Sequence, residues 1–472
     1  MAEKSRLISD EVQFGFLPAK KNEREFGFLD LMFVQSGFGI AAWCFLVGGL
    51  TGSVLNAKDS IFTILFGNAF PVFLIVPIAV LFARYGVDTF IGFRSALGYK
   101  GSDIFFVMFA VLNLGWISIA CFMVGEASTK LLELFGAGAF WTARETGAPI
   151  FAILAFFIAF SVAFQGPVAI KWFTRIGVPS ILLVLIGLIV VVLFKEGPAK
   201  LFALQPASPY DSYARSIATA LEWNVGLGFS WLPYIGQYSR LAKSEKSAFT
   251  GSFFAYGVVL NIAAIMGALT SLLVASLYPT DWMVAIGGKV LGFLGLMLLV
   301  VGNVTSAVLL IYSQGISFKT VFPKQKWWMA LATTIPAAIL MSSPSFYDAY
   351  GRFLSMISYV MAVFGGIIIA DFFLVKKQKI SLRDLYNRQG IYTFWHGVNP
   401  SAVVSFIVGT VVYWWMYNPL KDEASPFFNY MSAGIPAYFA AGIVYYICAA
   451  FLFRYHTQDI AEGSGVAQEH IS

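Results

Sequence analysis

The sequence predicts an all-α polytopic membrane protein with twelve transmembrane helices, and three observations predict it. Twelve long apolar runs, joined by short polar loops, take up nearly all of the 472 residues. Hydrophobic residues make up 58% and charged residues 12%, with a mean hydropathy of +0.76. Water cannot solvate that much apolar surface, whereas a bilayer accepts it. The third observation is an asymmetry of basic residues between alternate loops.

In chain order the runs fall at about 31–53, 60–83, 104–128, 147–164, 169–194, 213–236, 249–278, 286–316, 328–341, 350–375, 400–418 and 433–453. Runs near or above about 20 residues cross the hydrocarbon as single helices; the ninth is the short one. With the amino terminus in the cytoplasm, 22 of the 31 lysines and arginines fall in inside loops or tails, the bias that sets topology. One missed helix would invert every later loop, so the count is even and both termini are cytoplasmic. Met1 to Arg24 is polar without an apolar core, which predicts no cleaved signal peptide.

Several function classes are excluded at this level. The net charge of +6 is accounted for by basic cytoplasmic loops, so nucleic acid is not an expected partner. Cys44, Cys121 and Cys448 lie in apolar runs at irregular spacing, as buried free thiols do, and form neither a disulfide framework nor a zinc site. There is no His–carboxylate metal set, nucleophile elbow or phosphate loop, so an enzyme is not expected and no cofactor is called for. His396, His456 and His470 all lie in loops or the tail, which removes a histidine proton relay.

Two spans carry an interruption. The first reads Gln35-Ser36-Gly37-Phe38-Gly39-Ile40-Ala41-Ala42, and the sixth reads Asn224-Val225-Gly226-Leu227-Gly228-Phe229-Ser230-Trp231-Leu232-Pro233. Glycine lets a helix unwind, freeing backbone carbonyls and amides to face a solute or ion. Paired interruptions at matching places in two halves mark the binding site of inverted-repeat transporters. Glycine also serves close helix packing, the role expected of Gly48, Gly49 and Gly52. The five-span offset favours unwinding near Gly37 and Gly228. Glu126 in the third span and Glu222 in the sixth are acidic groups within the membrane, which makes them candidate vestibule or proton sites, or carboxylates bonded between helices.

The densest motif follows the tenth span: Asp371-Phe372-Phe373-Leu374-Val375-Lys376-Lys377, Ile380-Ser381-Leu382, Asp384-Leu385-Tyr386, Gly390-Ile391-Tyr392, Trp395 and Gly397-Val398-Asn399. It resembles the signature of the nucleobase–cation symporter family, which includes cytosine, purine, allantoin and hydantoin permeases. Arg94 with Leu97 to Gly101, Gly115-Trp116 and Gln237 to Arg240 extend the resemblance, which covers roughly Phe26 to Tyr413. It implies a leucine-transporter-type fold, in which ten helices form two inverted five-helix repeats and two C-terminal helices are added. It also implies alternating access coupled to a cation, sodium in the better understood members. The chain then divides into a cytoplasmic tail (1–25), a transport core with helices 1 and 6 broken (26–375), a cytoplasmic loop (376–399), two peripheral helices (400–454) and a second tail (455–472). A monomer in the plasma (inner) membrane is expected.

Carried over position by position, the resemblance puts sodium among Gly37, Ile40, Val301, Val304 and Thr305, with Ser306 and Asn303 alongside. Val304 replaces one of a usual hydroxyl pair. For the solute it singles out Trp116 as the stacking aromatic, with Ala41, Ala120, Gly226, Leu227, Gly228, Ser230 and Leu310 around it and Leu354 as a gate. Gly228 stands where many members have tryptophan, Ala120 where glutamine can sit and Leu310 where asparagine is typical. Phe38, Trp223, Phe229 and Trp231 are the candidates for the missing ring face. The expected cargo is a planar nitrogen heterocycle taken up with sodium. The alternatives are proton coupling, through Glu126 or Glu222, and an amino-acid or amine cargo on the same fold.

Overall fold

The computed structural model describes residues 16–453 apart from Ile40 and Glu196, so most of both predicted tails lies outside the described residues. Fourteen helical segments carry the architecture: α1 (Phe28–Gly39), α2 (Ala42–Val54), α3 (Ala57–Tyr85), α4 (Tyr99–Leu134), α5 (Gly147–Gln165), α6 (Pro167–Ile189), α7 (Tyr213–Phe229), α8 (Ile235–Ser239), α9 (Glu245–Val274), α10 (Pro279–Val321), α11 (Trp327–Leu340), α12 (Tyr350–Val375), α13 (Pro400–Met416) and α14 (Gly434–Leu452). A two-residue antiparallel ladder pairs Tyr417 with Ala424 and Asn418 with Glu423 after α13.

Each predicted run contains helix, but not every one is long. Among the described residues, eight helices are long and apolar enough to cross a membrane, or nine when α1 and α2 count as one bent span. The sixth, ninth and eleventh runs appear as the shorter α7, α11 and α13. At 1.5 Å per residue, the 17 residues of α13 reach about 25 Å, just under the hydrocarbon thickness.

Both interruptions are present, each displaced from its glycines. α1 runs past Gly37 to Gly39, Ala41 is extended, and α2 leaves at 72° to α1. α7 runs unbroken through Gly226 and Gly228 to Phe229, and the chain turns at Ser230–Tyr234 before α8. Expected unwinding at Gly228 is therefore corrected to the turn around Pro233. Proline has no N–H to donate back to Phe229, whose carbonyl instead accepts from Leu232 at 3.1 Å. Gly226 and Gly228 serve packing. A side chain at Gly226 would strike the backbone of Leu354 on α12, and one at Gly228 would meet Asn68 and Pro71 on α3.

The same device joins α2 to α9, where Gly48 and Gly52 lie against the backbone of Ala264 and Ala268. Between membrane helices, where lipid is as apolar as leucine, such close backbone approach supplies the association energy. α4 lies between α5 and α10, with Gly125 against Ala148.

One end of the bundle is pinned by a buried ion pair. Lys376 Nζ lies 2.6 Å from Asp371 Oδ2 and donates to the Ser95 carbonyl at 2.7 Å, while Tyr445 donates to Asp371 Oδ1 at 2.7 Å. The two charged side chains are 6% and 1% exposed. Asn399 Nδ2 reaches the Ala96 carbonyl (2.7 Å) and the Tyr445 hydroxyl (2.9 Å). The dense motif of 371–399 thus ties the 94–100 loop to α12, α13 and α14. Removing one partner strands the other charge. Lys376→Met is expected to lower unfolding stability by about 3–5 kcal/mol, and Lys376→Met with Asp371→Leu to recover much of that loss, read from denaturation midpoints in detergent.

Candidate functional site

The two breaks face each other across a small space. Trp43, in the first turn of α2, Trp116 near the middle of α4, Leu310 on α10, and Ser230, Trp231 and Tyr234 from the α7–α8 turn line a cavity of about 10 Å³. Trp43 and Trp116 have ring centroids 5.6 Å apart. Trp231 is held from behind by stacking on Tyr256 of α9, at 4.4 Å and 11°. The α1–α2 break is sealed by the same residues: the Trp43 indole N–H donates to the Gly39 carbonyl at 3.2 Å.

A roof and a floor close this space. Above it, Tyr350 and Phe353 of α12 meet Trp116 edge-on at 6.0 and 5.3 Å, and the Tyr350 hydroxyl donates to the Trp43 carbonyl at 3.2 Å. Gly115 makes room for the Phe353 ring, which explains the Gly115-Trp116 pair. Below it, the Tyr234 hydroxyl donates to Asn113 Oδ1 at 2.8 Å, and Asn113 Nδ2 donates to Gln314 Oε1 at 2.8 Å and to the Leu310 carbonyl at 3.2 Å. Gln314 continues to Thr333 of α11 at 3.0 Å. A second layer joins Gln237 to Ser313 and Ser317 of α10, at 2.9 and 3.0 Å.

The comparisons with known proteins agree with this geometry. Residues 18–439 match the family described as permease for cytosine/purines, uracil, thiamine and allantoin. The chain belongs to this permease family. Among its curated relatives are the hydantoin permease of Microbacterium maritypicum, 22% identical over 84% of this chain and 82% of that one, and the purine-uracil permease NCS1 of Arabidopsis thaliana, 23% identical over 86% and 70%. The inward-facing structure of Mhp1 superposes with a TM-score of 0.78 at 20% identity, covering 95% of this chain and 96% of that one. The permease therefore has the Mhp1 fold and is a multi-pass membrane transporter.

Of the expected solute positions, Trp116, Ser230 and Leu310 line the cavity of the permease. Ala41, Ala120, Gly226, Leu227 and Gly228 are buried nearby without lining it. Leu354 packs its backbone on Gly226, so the α12 residues over Trp116 are its neighbours Tyr350 and Phe353. Of the aromatic candidates, only Trp231 is in the lining. Phe229 stacks on Tyr438 at 5.5 Å, Trp223 lies against Gly351, and the Phe38 side chain lies outside the described residues. Trp43, Tyr234, Asn113 and Gln314 went unrecognised in the sequence. Asn113 and Gln314 are the amides of this region, displaced towards the floor from the expected Ala120 and Leu310.

The expected cation positions are partly assembled. A side chain at Gly37 would meet Val178 of α6, and the Thr305 side chain fills the space beside Gly177, the preceding residue. α1 and α10 thus meet on one turn of α6. The Thr305 hydroxyl donates to the Val301 carbonyl at 2.9 Å. Val304 packs in an apolar cluster with Val124 and Ala155, and the Ser306 hydroxyl donates to the Gly302 carbonyl at 3.1 Å. Ile40 lies outside the described residues.

Both membrane carboxylates are engaged in clamps. Glu222 accepts from the Tyr413 hydroxyl (2.8 Å) and from the backbone N–H groups of Ala433 (2.8 Å) and Gly434 (3.1 Å), which joins α7 to the start of α14. Glu126 pairs with Arg144 Nε at 2.5 Å, while the other guanidinium nitrogens reach Asp348 at 3.0 and 2.6 Å. Tyr278 completes this group by donating to Asp348 at 2.8 Å. Neither acid lines the central cavity.

Glu222→Leu removes the acceptor of two N–H groups at a helix start and should cost about 1–3 kcal/mol for each group left unpaired, measured by thermal unfolding. At Asp348, burial pushes the carboxyl upward, but the hydrogen bonds from Arg144 and Tyr278 and the Arg144 charge outweigh it and hold it below its ordinary value. A depressed carboxyl contributes stability above its unfolded value and loses it as pH falls through the lower folded value. The Arg144–Asp348 pair should therefore persist throughout pH 5–8. The gap in unfolding midpoint between the wild-type protein and Asp348→Asn should stay constant across that range and close only in stronger acid.

Proposed function

We propose that this permease is a secondary active transporter that imports a nucleobase or related planar nitrogen heterocycle by alternating access, with sodium as the coupled ion. The observation that carries the reading is the cavity at the paired helix breaks, where three indole rings and Tyr234 surround one space. Flat π-systems bind such surfaces by stacking, at about 1–3 kcal/mol per base. A space of about 10 Å³ holds a single water. A heterocycle therefore enters only when the roof of Tyr350 and Phe353 lifts, and leaves only when the floor of Tyr234 and Asn113 parts. Those two closures are the alternating gates of the proposed cycle.

The relatives named above carry hydantoin, purine and uracil in their names, and one Mhp1 structure is titled as a closed conformation with bromovinylhydantoin bound. The described lining residues include no carboxylate to pair with an ammonium group. Neither Glu126 nor Glu222 lines the central cavity, and Glu222 is held by three donors, which disfavours proton coupling through them. Sodium is cargo in this reading, held by the carbonyls of Gly37, Ile40 and Val301 and the hydroxyl of Thr305. Water would complete the oxygen shell that a hard cation requires. The end bearing Asp348 faces outward, both termini are cytoplasmic, and a monomer in the plasma membrane suffices, with residues 26–375 as the moving core.

A thermal-shift panel of planar heterocycles, run with and without sodium, tests the whole reading, because a true ligand stabilises the folded state by mass action. At least one heterocycle should raise the midpoint more in sodium than in potassium; a panel without any shift overturns the assignment. Trp116→Ala should weaken binding of that compound by about tenfold to a hundredfold, with Trp116→Phe restoring most of it. Thr305→Ala should abolish the sodium dependence, and retained dependence would move the ion elsewhere.

A further inference from the structure

A second, larger cavity lies towards the proposed outer face. It measures about 360 Å³, against about 300–1,000 Å³ for small-molecule pockets generally. Its walls come from α2, the approach to α7, the start of α12 and the end of α13. It adjoins the central roof through a single helical turn, since Gly351 and Arg352 in its wall stand between Tyr350 and Phe353 in sequence.

The polar chemistry of this cavity is unbalanced. Asp348 is taken up by Arg144 and Tyr278. Asp422 is taken up by Arg215 at 2.6 Å, Tyr417 at 2.9 Å and Tyr210 at 3.1 Å. Arg352 is exposed, and it has no hydrogen-bond or ion-pair partner among the described residues. Of the charged groups in the wall, it alone keeps its full hydrogen-bonding capacity, and that capacity is all donor. Beside it the Trp223 indole, 7% exposed, lies against Gly351, where any side chain would collide with the ring nitrogen. A donor fork next to an aromatic ring suits a flat ring with a carbonyl-rich or carboxylate edge.

We infer that this cavity is a capture site, in which Arg352 and Trp223 hold a planar compound by its acceptor edge before α12 admits it to the central cavity. The inference rests on the heterocycle reading for its cargo, but not for its chemistry. A planar carboxylate such as benzoate would occupy the same fork whatever the central site accepts.

Ser345 is exposed in the wall, and the native cysteines are buried, so Ser345→Cys gives a reporter for labelling by a thiosulfonate reagent. Benzoate and the imides uracil and hydantoin serve as probes. Benzoate should slow labelling in the reporter background and in its combination with Trp116→Ala. Arg352→Gln should weaken that protection about tenfold or more, the scale of losing a charge-assisted hydrogen bond, while Arg352→Lys retains part of it. Protection that Arg352→Gln leaves unchanged, or no protection by any probe, overturns the capture site. Benzoate protection together with no thermal shift from any heterocycle would leave the capture site standing and sink only the heterocycle reading. With a transported imide, Arg352→Gln should raise KM with kcat unchanged; an equal fall in kcat would assign Arg352 to gate movement instead.

Discussion

An unwound backbone within a bilayer has no water to satisfy it, and every other feature of this permease depends on how the two helix breaks meet that constraint. At the α1–α2 break, the Trp43 indole returns a hydrogen bond to the Gly39 carbonyl. At the α7–α8 turn, three-residue backbone bonds, Leu232 to Phe229 and Tyr234 to Trp231, replace the helical ladder around Pro233. The Ser230 hydroxyl adds a bond to the Leu227 carbonyl at 2.6 Å. The groups that satisfy the breaks are largely those that line the cavity. The central cavity and backbone satisfaction therefore share Trp43, Ser230 and Tyr234, and a change in one disturbs the other.

Rings and polar chains close the two sides of this space by different physics. The roof is aromatic, with Tyr350 and Phe353 set edge-on to Trp116, so it can separate without leaving buried donors unmet apart from the Tyr350 hydroxyl. The floor is a connected polar network from Tyr234 through Asn113 and Gln314 to Thr333, which would need water to satisfy it in the opening that the proposed cycle requires. An aromatic lid and a hydrogen-bonded floor give the two closures different sensitivities to solvent and temperature.

Charge in this protein is mostly structural. Glu126, Glu222, Asp371 and Lys376 are all buried, and each joins segments distant in sequence. The Asp371–Lys376 pair opens the motif at 371–399. That segment anchors the 94–100 loop to the last helices and does not line the central cavity. Replacing one member of such a pair leaves a bare charge in a low-dielectric setting, a stronger constraint than most packing contacts impose.

The sequence alone determined the membrane class, because hydropathy and basic-loop bias are properties of composition along the chain. It also located the helical runs and the existence of two interruptions, since glycine and proline act locally. Through family resemblance it named Trp116, Ser230 and Leu310, which line the central cavity. Only the tertiary structure decided that Gly226 and Gly228 pack and that the chain turns beyond them, because these glycines are read by what lies opposite them, Leu354 and Asn68. Only it could find Trp43, Tyr234, Asn113 and Gln314, whose roles arise where α2, α4, α8 and α10 meet. Only it could separate a carboxylate bound to a helix start from one facing a solute path, because burial and hydrogen-bond partners belong to the folded neighbourhood and not to the residue.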